Sequence, residues 1–92
     1  MSKSLVLPEK FDFSFHKTFT ESIAAMLKDK SNRIIQLDFS RVQYLDSSAL
    51  GMLVVANKKA KENGSAVEII NASGTAMEVL TIANFHKLIT IK

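Results

Sequence analysis

Ninety-two residues, 47% of them hydrophobic and 23% charged, with a net charge of +3, describe one small globular domain over residues 1–92 and exclude both a disordered chain and a second domain. The absence of cysteine excludes disulfides, thiolate catalysis and cysteine zinc sites, and fits a reducing cytoplasm. Basic side chains are scattered except at Lys58, Lys59 and Lys61, and one Tyr with no Trp leaves little for base stacking, so the charge argues against nucleic-acid binding.

In chain order, residues 4–7 read as a short strand stopped by Pro8. The apolar run before Pro8 is too short for a signal sequence, and no run reaches the ~20 residues that span a bilayer. A cytoplasmic protein without membrane insertion is expected. Residues 9–13 form a turn in which Asp12 or Ser14 can cap a helix. Phe15, Phe19, Ile23, Met26 and Leu27 recur at helical spacing, which predicts a first helix over 15–28. Residues 33–39 alternate Ile35, Leu37 and Phe39 as a strand does. Gln36 and Asp38 dilute its second face, which implies partial cover or function near the strand end.

A second helix is predicted over 48–63, stopped by Asn63-Gly64. Leu50, Leu53, Val54, Asn57 and Ala60 form one side; Gly51, Met52, Val55 and Ala56 form a second apolar strip. Late lysines there suit a helix C-terminus and a solvated face. Residues 66–70 are a short buried strand and 71–75 a loop. Met77, Leu80 and Ile82 make a third helix ending near Asn84, and 89–91 close as a strand. The order β-α-β-α-β-α-β implies an α/β fold with about four strands in a mostly parallel sheet.

The stretch Tyr44-Leu45-Asp46-Ser47-Ser48-Ala49-Leu50-Gly51 organises the rest. Its hydroxyls and carboxylate stand where the second helix begins, and two readings stay open. They can cap the helix by accepting from its unpaired N–H groups. Alternatively, a serine there is a place to add a phosphate, because a helix N-terminus favours negative charge.

Other chemistry finds no pattern. Three glycines form no phosphate-cradling loop. His16 and His86 lack metal-ligand spacing. Ser47 and Ser48 lack the flanks of a nucleophile elbow. Asp38 and Asp46 together would make a thin cation site. No cofactor or metal is expected, and the chain is read as a non-enzyme. Met52, Val55 and Lys59 fall along one strip at about 100° per residue. They form a candidate partner surface, unless a neighbouring helix covers the strip.

The run Arg33-Ile-Ile-Gln-Leu-Asp-Phe-Ser40, then Val42 and Tyr44 to Gly51, resembles the STAS domain family, typified by bacterial anti-sigma-factor antagonists. The stretch from Ser73 to Ile89 resembles the family's third helix and following strand. Leu7-Pro8-Glu9-Lys10-Phe11-Asp12 resembles a degenerate form of its first motif. The resemblance implies a small sheet with three or more helices packed largely on one face, in a protein that is a monomer when free. It makes Ser47, directly after Asp46, the phosphoacceptor, with Ser48 as cap or neighbouring hydroxyl and Asp12, Asp38 and Asp46 nearby. It implies binding to a serine kinase that is also an anti-sigma factor, release on phosphorylation, and reversal by a serine phosphatase. ATP and Mg²⁺ would belong to the kinase. The family also includes small subunits of lipid-transport ABC complexes, an alternative without kinase control. Two departures from the family are expected: a truncated first strand, and no C-terminal helix after Lys92.

Overall fold

The alternation read in residues 33–39 does build a central strand. In the structure, a computed structural model that describes residues 2–92, the order is β1 (Ser2–Val6), β2 (Lys10–Phe11), α1 (His16–Lys28), β3 (Ile34–Asp38), β4 (Tyr44–Leu45), α2 (Ser47–Glu62), β5 (Ala66–Ile70), α3 (Gly74–Ile82) and β6 (Thr90–Ile91). Single 3₁₀ turns at Phe13–Phe15 and Phe85–Lys87 precede α1 and β6. A four-stranded sheet runs β1-β3-β5-β6 with every pair parallel. The chain therefore steps across the sheet in one direction, and crossovers of one hand place their helices on one face.

The buried residues follow that geometry. Leu7, Ile35, Leu37, Phe39, Val67 and Ile69 are buried toward the helices. Phe19, Ile23, Met26 and Leu27 of α1 and Ala49, Met52, Leu53, Ala56 and Ala60 of α2 complete the core with Leu80 of α3. The opposite face carries a row in register, Ser4, Gln36, Glu68 and Thr90. There Ser4 Oγ donates to Gln36 Oε1 at 3.3 Å and Lys92 Nζ lies 3.3 Å from Glu68 Oε1. This polar row lets a parallel sheet, ordinarily covered on both sides, leave one face uncovered, as Gln36 and Asp38 foretold.

Local chemistry sets the helix ends. The Asn32 amide donates to the Met26 carbonyl at 3.0 Å and closes α1. Gly64, at φ +75°, turns the chain out of α2, a conformation that suits glycine. Ser65 N–H then donates to the Ala60 carbonyl at 2.8 Å.

Several expectations change in detail. The first strand covers residues 2–6 rather than 4–7 and pairs with β3 along its whole length, so it is not truncated against that partner. α2 begins at Ser47 and α3 at Gly74. On α2, Val54 of the first side is 43% exposed, whereas Met52 of the second strip is 7% exposed. Its neighbours across the α1–α2 seam, Phe19 and Ile23, cover it. A further pair, β2 with β4, was not foreseen. Among the described residues no helix is long and apolar enough to cross a membrane.

Candidate functional site

The unforeseen pair positions the site. Lys10 lies opposite Tyr44, and Phe11 opposite Leu45, in a parallel two-residue ladder. Phe11 and Leu45 are buried and anchor it to the core. The next residue on each strand is an aspartate, Asp12 and Asp46, and each caps the helical turn that follows. Asp12 accepts from the Ser14 N–H at 3.0 Å, and Asp46 Oδ1 accepts from the Ala49 N–H at 3.0 Å. Both have extended backbone, at φ −140° and −118°, as N-caps do. Two strand–aspartate–helix units thus stand side by side with their N-termini together.

Ser48 was given the capping role as one alternative; the structure gives it to Asp46. Ser47 and Ser48 are the first and second residues of α2 and both are exposed. Among the described residues their hydroxyls make no hydrogen bond. The D-S-S run offers three capping groups in succession, and spacing alone does not choose among them. The Asp46 carboxylate wins because its extended backbone aims the side chain back at the Ala49 N–H.

The other acidic residues are held locally. Asp38, at the end of β3, accepts from the Ser40 N–H at 2.9 Å and the Asn71 amide at 3.2 Å. The Ser40 N–H first, then the Asn71 amide, hold its carboxyl below the ordinary 3.8. Asp12 is lowered chiefly by the Ser14 hydroxyl, then by its N–H, with Lys10, 3.8 Å away, adding a little. No three carboxylate or imidazole groups gather to hold a metal among the described residues.

Around the serines lie exposed apolar side chains. Phe13 is 62%, Val55 52% and Tyr44 48% exposed, and Lys10 reaches over the Tyr44 ring at 5.9 Å. Phe13 stacks on His16 at 4.8 Å between centroids. Val55 and Lys59 of the expected strip are exposed. Met52 corrects it: its side chain forms the floor of the α1–α2 groove rather than an outward contact. Phe13 and Tyr44 were missed. The only signal for them was an aromatic within two residues of each aspartate, which carries weight once β2 and β4 are seen to pair.

Residues 2–90 match the family described as Mlab, STAS domain. A STAS-domain containing protein of Pseudomonas aeruginosa is 30% identical over 82 residues, which are 89% of this chain and 79% of the relative. Among solved structures, a sulfate transporter family protein from Wolinella succinogenes aligns with TM-score 0.82 at 13% identity, over 95% of this chain and 70% of the other. The Bacillus cell fate determinant SpoIIAA in its phosphorylated form aligns with TM-score 0.72 at 15% identity, over 99% and 83%. The anti-sigma factor antagonist SpoIIAA in its unphosphorylated form aligns with TM-score 0.69 at 17% identity, over 88% and 74%.

Proposed function

The chain belongs to the STAS domain family, and from that membership we propose that it is a non-catalytic protein-binding switch governed by phosphorylation of Ser47. The observation that carries this reading is the division of labour at the start of α2. Asp46 supplies the cap, so the Ser47 hydroxyl has no structural duty and stands exposed. Phosphoserine adds about −1.5 to −2 charges. The α2 N-terminus favours that charge and Asp46 opposes it, so the fold survives modification. A partner seated on Phe13, Tyr44 and Val55 would instead cover an unpaired dianion, which is costly. The unphosphorylated chain therefore binds, and phosphorylation releases.

The partner of this reading is a serine kinase that doubles as an anti-sigma factor, with a serine phosphatase restoring the binding state. The fold of SpoIIAA, an anti-sigma factor antagonist solved with and without phosphate, supports it. Phosphopeptide mapping of protein isolated from its own host should place phosphate on Ser47. Pull-downs should recover the kinase with wild type and Ser47→Ala but not with Ser47→Asp. Phosphate on Ser48 alone would reassign the acceptor, and none on either would remove the switch. A second reading is an unmodified subunit of a membrane transporter assembly, which the sulfate transporter family neighbour supports in that general form only; the family resemblance makes it a lipid-transport ABC complex. There Ser47 would carry no phosphate and the pulled-down partner would be the transporter.

A further inference from the structure

The seam between α1 and α2 holds a groove of about 360 Å³, inside the ~300–1,000 Å³ range of small-molecule sites. Phe13, Phe19 and Ile23 form one wall; Met52, Val55 and Ala56 form the other. Both helices return from the same end of the sheet, so they run parallel. Ser48 and Lys59 therefore mark opposite ends of the groove, about 16 Å apart along α2 at 1.5 Å per residue. No acidic side chain lines it. Beyond Lys59 a second depression adds Lys28 and Lys30 against one carboxylate, Glu62. The seam thus runs from an apolar trough to a cationic end.

Gly51, the last residue of the D-S-S-A-L-G run, bears on the same groove. It lies inside α2 and lines the groove, and a Cβ built on it meets no atom within 4 Å beyond its own helical turn. Its φ is not positive, so neither backbone conformation nor packing calls for glycine. Helix propensity argues against it. What the missing side chain does preserve is open space in the wall.

We propose that this groove binds a free, single-chain anionic amphiphile of the long-chain carboxylate class, its tail lying over Phe19 and Met52 between Phe13 and Val55 and its head group at Lys59. Charge complementarity sets the polarity of the ligand, and the apolar walls set its tail. The site does not depend on phosphorylation of Ser47, so the two readings fail separately.

The test is an NMR titration of the full chain with octanoate, decanoate and dodecanoate below their micelle concentrations. Saturable one-to-one binding is expected, with shifts confined to the α1–α2 seam and affinity rising about fourfold per methylene. Gly51→Leu, checked by circular dichroism, should abolish binding by filling the trough. Val55→Glu should do so by placing like charge in the wall. Lys59→Glu should weaken dodecanoate at least tenfold and favour dodecyltrimethylammonium. Scattered or non-saturating shifts, or unchanged binding in Gly51→Leu and Val55→Glu, would overturn the proposal. So would a seam perturbed by phosphatidylglycerol vesicles and not by free dodecanoate, which would make it a membrane surface. Partner capture blocked by Gly51→Leu without any amphiphile binding would make it a protein site, and would overturn the proposal equally.

Discussion

At the scale of single residues, the three consecutive polar groups at the start of α2 have separate duties, and stability should report them separately. Asp46→Ala removes the acceptor of the Ala49 N–H and should cost about 1 kcal/mol, a fall in Tm of roughly 4–8 °C for a domain this size. Ser47→Ala and Ser48→Ala should each stay within about 0.5 kcal/mol of wild type; denaturant melts of the three variants check the order. Asp38 has a pH signature instead. Its folded carboxyl lies below the ordinary 3.8 because Ser40 and Asn71 donate to the ionised form. Its stabilisation is therefore complete above that value and is lost as pH falls through the lower folded one. Stability should decline with acidification below about pH 4, as these shifts imply. Asp38→Asn should make that decline shallower without removing it, since Asp12 and Asp29 are lowered too. Urea melts from pH 2 to 7 measure it.

At the scale of elements, α2 shows where periodicity informs and where it saturates. Residues 49–56 are apolar throughout, A-L-G-M-L-V-V-A, so more than one stripe fits a 3.6-residue period. The buried set is Ala49, Met52, Leu53, Ala56, Asn57 and Ala60, a choice made by α1 and the sheet rather than by the helix itself. Leu53→Ala, at 0% exposure, should cost about 2–5 kcal/mol. Val55→Lys should leave the melting curve nearly unchanged while weakening partner capture. An unfolded Val55→Lys would place the strip in the core. The longer elements were legible because their patterns are clean: alternation in β3, the 4, 4, 3 spacing of α1, and the Asn63-Gly64 stop. The pair β2 and β4 was not, since two residues carry no period. The family resemblance placed Asp12 and Asp46 near each other, but the β2–β4 register that aligns them is tertiary information that neither motif holds alone.

At the scale of the whole molecule, one-directional winding gathers the helices on one face and leaves the other to side chains. The most enclosed group on that open face is Glu68, 9% exposed, whose neutralising partner is Lys92. Lys92→Ala should lower stability by about 1 kcal/mol by leaving a largely buried carboxylate without its counter-charge. Glu68→Gln should be neutral or slightly stabilising, because it removes the charge that needs neutralising. Equal losses in the two variants would show that the pair contributes through packing instead. The family and fold could be read from the sequence because the D-S-S-A-L-G run sits between a strand and a helix in the right order. The open face could be anticipated from Gln36 and Asp38 and from the family resemblance, but not its polar row, since register across four strands is set by the whole sheet.

The cap at Asp46 has a chemical corollary. The Ala49 amide is already taken by an internal anion, so a phosphate on the neighbouring serine would share the N–H groups of the first turn with that carboxylate. In the proposed switch the two anions would crowd one helix start, and Asp46 would be the group pushed toward solvent. The Ala49 amide resonance is the natural reporter. A shift there on phosphorylation that matches the one produced by Asp46→Ala would show that the carboxylate cap has been released. It would also turn a structural residue into a participant in the signal.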